Sequence, residues 1–166
     1  MAAPADQGGP SINQGSDTAG HEAPQPAPPS LDALVLRYEG PAVRDRQQNC
    51  LANAVYFESR GEPVEGQLAV ANVVLNRAAS GHYPTDLCGV VTQKARFSFV
   101  HHGRIPSANR KSPAWRKAVA IAHIAAAKIA EAVPADVLWY HAAYVAPAWR
   151  RDLTVEGRIG LHIFYS

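Results

Sequence analysis

The chain has 166 residues, 47% of them apolar and 18% charged, a composition that suits one globular core and excludes collagen, a coiled coil and a wholly disordered chain. The formal net charge of +2 conceals an asymmetry: residues 1–30 carry Asp6, Asp17 and Glu22 with no Lys or Arg, which leaves +5 on residues 31–166. Basic residues are mostly scattered, with adjacent pairs only at Arg110-Lys111, Arg116-Lys117 and Arg150-Arg151, which argues against a nucleic-acid partner, and the uncharged stretch 118–127 is too short for the ~20 apolar residues of a transmembrane segment.

Residues 1–30 hold six of the 13 prolines and four of the 12 glycines, mixed with Ala, Gln and Ser. Such a segment buries too little apolar surface to offset its ordering entropy, so a disordered tail or linker is expected over 1–30 and a folded domain over 31–166. No charged leader followed by an apolar run follows Met1, so no signal peptide is visible.

Leu31, Leu34, Val35 and Tyr38 have helical spacing before Gly40-Pro41 interrupts it. Asp45 with Gln48 three residues later is a helix-start signature, and Arg60-Gly61 a stop, so a helix is expected over 46–60. Pro63 at a first helical position, Glu65 in the first turn and Leu68, Ala71, Leu75 and Ala79 predict a second, ending at Ser80-Gly81. Two runs rich in Val, Thr and Phe, Val90–Gln93 and Arg96–Val100, are compatible with a small β-hairpin or with irregular structure. Ser112-Pro113 starts a further helix whose buried face, from Trp115 to Ile129, reaches Glu131. Val137–Tyr140 and Ile159–Tyr165 have strand composition around a Pro147-Ala148-Trp149 loop. No internal repeat occurs.

Leu51, Ala54, Val55 and Glu58 stand at i, i+3, i+4 and i+7, so a carboxylate lies on the apolar face of its helix. Burial and the negative end of the helix both disfavour its charged form and push its pKa up, as a general acid requires. The competing reading is an ion pair with Arg60 or Arg77. Glu62 and Glu65 lie where a helix N-terminus favours a carboxylate, so both are read as capping.

Seven histidines do not form a His-Glu-x-x-His pattern, and His101-His102 are adjacent, so no metal or other cofactor is expected. His123 is expected to pack within its helix; His141 and His162 suit either a cleft lining or a hydrogen-bonded core. Cys50 and Cys88 are compatible with a disulfide or with two reduced thiols, Cys50 near a helix start being also a weak candidate nucleophile.

The run Tyr56-Phe57-Glu58-Ser59-Arg60-Gly61-Glu62-Pro63, continued by Glu65 to Arg77, resembles the SleB/CwlJ cell wall hydrolase family. Tyr83-Pro84, Cys88 to Val91, Phe97-Ser98-Phe99, Trp115, Trp139-Tyr140-His141, Pro147-Ala148-Trp149 and Ile159 to Tyr165 follow in the same order, so the likeness spans 49–166. The resemblance implies a mostly helical α+β, lysozyme-like domain with a small β element. It implies cleavage of the peptidoglycan glycan strand between N-acetylmuramic acid and N-acetylglucosamine, with Glu58 as catalytic acid. A single acid without an evident partner favours a lytic transglycosylase over a hydrolase. Tyr56, Gln93, Ser98, Tyr140 and His141 become candidates to line the sugar groove or to hydrogen-bond Glu58. A substrate outside the cytoplasmic membrane implies export and a Cys50–Cys88 disulfide. The chain departs from the family at Arg96, where a Gln often stands before Phe-Ser. Other readings are a non-catalytic peptidoglycan-binding module and a metal- or thiol-dependent amidase.

Overall fold

The computed structural model describes residue 20 and residues 22–166. Most of the 1–30 tail therefore lies outside the described residues; 22–30 are exposed and in neither helix nor strand. The rest is a mostly helical α+β arrangement of five α-helices, a 3-10 turn and a three-stranded sheet, in the order α1 (Leu31–Tyr38), α2 (Arg46–Ser59), α3 (Val64–Ala79), α4 (Leu87–Thr92), α5 (Pro113–Ala126), β1 (Trp139–Ala142), β2 (Val155–Ile159) and β3 (His162–Tyr165).

Local chemistry accounts for the helix starts. Ser30, Asp45, Asp86 and Ser112 each accept a backbone N–H three residues on, from Ala33, Gln48, Gly89 and Trp115, which satisfies donors the first turn leaves open. Helix α2 stops where expected, with Gly61 in the left-handed region at φ 86°. Helix α5 stops at Ala126 and not near Glu131: Lys128 adopts φ 55°, and the N–H groups of Lys128 and Ile129 close onto the carbonyls of Ala125 and Ile124. This is a Schellman cap built on a lysine where glycine is usual, so no glycine signals it.

Val90–Gln93 belongs to no hairpin. Its first three residues end helix α4, held by the Asp86 cap and by the Cys50–Cys88 disulfide that ties α4 to α2 across 38 residues. Arg96–Val100 is turn structure, followed by an isolated bridge between His101 and Arg104. At the C-terminus β1 begins two residues later than expected, β2 precedes the expected Ile159–Tyr165 strand, and a Gly160-Leu161 turn divides that run between β2 and β3. The sheet order is β1-β3-β2, all antiparallel, with Tyr140 opposite Phe164 and Ile159 opposite His162.

The larger core cluster joins α1, α2, α3, α4 and α5 around Trp115, which is 0% exposed and donates Nε1–H to the Pro41 carbonyl at 3.0 Å. A second cluster of Ala69, Val70, Val73, Val133, Val137 and Phe164 seats the sheet on the other face of α3. Helix α3 is thus buried on two sides and fixes the sheet relative to the end of α2. His123 packs on Tyr38, ring centroids 4.6 Å apart.

Candidate active site

Two adjoining cavities open between the C-terminal end of α2 and the sheet. One, of about 400 Å³, is lined in part by Glu58, Arg77, Arg96, Ser98, Tyr140 and His141. The other, of about 320 Å³, includes Arg60, Glu62 and Leu161. Glu58, Ala142, Tyr144 and His162 line both, so the two form one groove with Glu58 where they meet.

Glu58 reaches the groove because it occupies the last turn of α2 on its buried face. The Tyr140 hydroxyl, 82 residues on, donates to Oε2 at 2.9 Å. Among the described residues Oε1 has no protein partner, and neither Arg60 nor Arg77 forms an ion pair with the carboxylate. Arg60 instead lies over the Tyr56 and Phe57 rings at 4.5 and 5.6 Å and donates to the Tyr56 carbonyl. Desolvation raises the Glu58 pKa above 4.5, against smaller opposing effects from the Tyr140 hydrogen bond and the Arg77 charge. Burial and the neighbouring carboxylate push the Tyr140 phenol well above 10, so it remains a donor at any working pH.

Arg77 is 6% exposed, donates Nε–H to the Leu138 carbonyl at 2.8 Å and lies over the Tyr83 ring. Burial lowers its pKa. Its sequence signal matches that of Glu58, since Val70, Val73, Val74 and Arg77 again stand at i, i+3, i+4 and i+7. Tyr144, 82% exposed on the groove's lip, had no such signal.

The remaining expected residues divide. Tyr140, His141 and Ser98 line the groove with Glu58. His141 is also fully hydrogen-bonded, at 2.7 Å to the Ala142 carbonyl from Nδ1 and 2.7 Å to the Tyr165 hydroxyl from Nε2. Because a carbonyl only accepts, Nδ1 carries the hydrogen and, in the neutral ring, Nε2 accepts from Tyr165. Tyr56 lines neither cavity: two residues from Glu58 on a helix turns it about 200° away, into the core against Trp115. Gln93 follows α4 and lines a separate cavity with Lys94, Val100 and His102.

Glu62 does not cap α3, whose start has no side-chain cap. Its carboxylate accepts the Leu161 N–H at 3.2 Å, in the turn between β2 and β3, and lies 3.5 Å from His162 Nδ1. Burial lowers the His162 pKa, outweighing the attraction of Glu62. Glu65 is exposed in the first turn of α3.

Cys50 and Cys88 form a disulfide with Cα atoms 5.2 Å apart, which removes Cys50 as a nucleophile. Among the described residues no three His, Cys, Asp or Glu side chains converge on a metal position, and no helix is long and apolar enough to cross a membrane.

The family model described as Cell Wall Hydrolase matches residues 61–165, beginning three residues beyond Glu58. The spore cortex-lytic enzyme of Oceanobacillus iheyensis is 42% identical over 98 residues, 59% of this chain and 31% of that protein. That of Bacillus subtilis is 49% identical over 55 residues, 33% of this chain and 18% of that protein. The chain thus spans a third or less of these curated relatives. Two solved structures align over far more of their length. The catalytic domain of the germination-specific lytic transglycosylase SleB from Bacillus anthracis is 32% identical with a TM-score of 0.61, over 75% of this chain and 98% of that one. The catalytic domain of Bacillus cereus SleB is 33% identical with a TM-score of 0.58, over 76% and 96%. With a family model covering most of its length and a fold shared with nearly the whole of a SleB catalytic domain, the chain belongs to the cell wall hydrolase family.

Proposed function

We propose that the chain is a lytic transglycosylase that cleaves the N-acetylmuramic acid–N-acetylglucosamine bond of peptidoglycan with Glu58 as both acid and base. One observation carries this reading: among the described residues Glu58 is the sole acidic side chain of the larger cavity, it is desolvated, and one carboxylate oxygen is free of protein partners while the other is held by Tyr140.

Burial favours the protonated acid, which gives its proton to the glycosidic oxygen as the bond from that oxygen to the muramoyl C1 breaks. The departing N-acetylglucosamine takes the proton as its 4-hydroxyl. The carboxylate left behind is stabilised by the Tyr140 hydroxyl and the Arg77 charge. It then accepts the proton of the muramoyl C6 hydroxyl as O6 bonds to C1. The product is a 1,6-anhydro ring, Glu58 is again protonated, and no water is consumed. A hydrolase of the usual kind needs a second carboxylate ~5 to 9.5 Å away; Glu62, the other acid of the groove, is already engaged by Leu161 N–H.

Peptidoglycan lies outside the cytoplasmic membrane, and a disulfide persists in an oxidising compartment, so export belongs to the same reading. The test is mass spectrometry of the soluble products from purified peptidoglycan treated with wild type or Glu58→Gln. Anhydro-muramoyl ends, one water lighter than reducing ends, are expected from wild type alone. Reducing ends would mean a hydrolase, and retained binding without products from either protein a binding module.

A further inference from the structure

The larger cavity of the groove carries a second cation besides Arg77 that the proposed proton transfers do not use. Arg96 is exposed and lines the larger cavity with Glu58 and Ser98. Its guanidinium is nonetheless located, 5.5 Å from the Tyr83 ring and 5.7 Å from the Trp139 ring, cation–π contacts that restrict an otherwise flexible side chain. No carboxylate among the described residues pairs with it. The backbone also gives something up to place it: the turn closed by Arg96 N–H on the Gln93 carbonyl puts Ala95 at φ 61°, where an L side chain is disfavoured. Arg96 is close enough to Arg77 for its charge to help lower the Arg77 pKa, behind the larger effect of burial.

We propose that Arg96 is a specificity residue that pairs with a carboxylate of the peptide stem, so that this groove takes stem-bearing glycan strands in preference to strands whose stems carry no free acid. The inference rests on the peptidoglycan reading above. The glycan backbone is uncharged, and the anionic groups nearest the scissile bond are the carboxylates of the peptide stem hung from the muramoyl lactyl ether. A planar guanidinium already held over two rings offers such a carboxylate a two-point hydrogen bond with little further ordering.

Binding is measured with the Glu58→Gln protein, so that it is read without turnover. The substrates are sacculi freed of phosphate polymers and the same sacculi with their carboxyls converted to amides. At low salt, roughly three- to tenfold tighter binding to the carboxylate form is expected. Adding Arg96→Gln removes the difference at an unchanged melting temperature, and Arg96→Glu reverses it. Arg44→Gln, which removes one exposed charge elsewhere on the chain, keeps it. Equal binding to both substrates, or a preference that survives Arg96→Gln, overturns the proposal. Cleavage by the wild-type enzyme separates it from the reaction: a binding preference without products leaves Arg96 in its role and removes the transglycosylase, whereas equal cleavage of both substrates does the reverse.

Discussion

Replacing Gly160 by alanine tests how the groove's floor is held. Gly160 sits in the turn between β2 and β3 at φ 58°, where any residue with a Cβ loses about 1 to 2 kcal/mol. A Cβ there would also collide with Glu62 Oε2 and come within 3.1 Å of Pro63 Cδ. Glu62 is poorly placed to yield, because its carboxylate holds the Leu161 N–H; losing a hydrogen bond to a charged group costs about 1.5 kcal/mol. Together these give a loss of about 3 kcal/mol, or roughly 6–12 °C in melting temperature for a chain of this size. Two other glycines separate the contributions. Gly81 shares the left-handed backbone (φ 80°) but faces open space, and Gly157 faces open space without it. Gly81→Ala is expected to show the backbone cost alone, and Gly157→Ala a change within about 0.5 kcal/mol. The assay is urea denaturation of the three variants, with Gly160→Ala repeated in a Glu62→Ala background. If Gly160→Ala costs no more than Gly81→Ala, or the same in both backgrounds, Glu62 is not a rigid clasp.

Glu58→Gln is expected to raise stability while removing activity. The folded-state pKa of Glu58 lies above its value of 4.5 in an open chain, so folding favours the protonated form, and that favourable contribution is lost as pH rises through the folded pKa. Thermal melts should therefore show the glutamine variant more stable at pH 7 and the two proteins converging below about pH 4.5; an advantage that grows on acidification would contradict the assignment. Tyr140→Phe removes the bond that favours the carboxylate, so the alkaline limb of the kcat/KM profile should move to higher pH as activity falls, and an unmoved limb would show that the bond does not tune Glu58. Cutting the Cys50–Cys88 disulfide, which spans 38 residues, should cost about 4 kcal/mol in the chain-entropy model, or roughly 10 °C, with the intact protein about 2 Da lighter than its reduced form; equal melting of oxidised and doubly serine-substituted protein would refute that cost.

Helices whose ends carry their own chemistry were readable from sequence. Asp45, Ser112-Pro113 and Gly61 satisfy or release backbone groups within three or four residues, so their meaning is local. Glu58 was readable for a related reason: a helix converts spacing into direction, and a carboxylate on an apolar face is anomalous before any partner is known. Arg77 stood in the same pattern. Helix α4 was not readable, because six residues rich in valine have no periodicity to distinguish helix from strand, and a disulfide to a distant helix holds it in place. The C-terminal cap of α5 escaped because a lysine takes the conformation that glycine announces.

The sequence by itself placed a carboxylate, Glu58, on the apolar face of α2 and marked where most of the helices begin, because those properties belong to one turn of one helix. Only the tertiary structure decided what surrounds that acid. Tyr140 meets Glu58 across 82 residues, and Glu62 holds a turn 99 residues away instead of capping α3. Both outcomes depend on how the sheet docks against α3 and the end of α2, a packing of distant surfaces that no local pattern encodes.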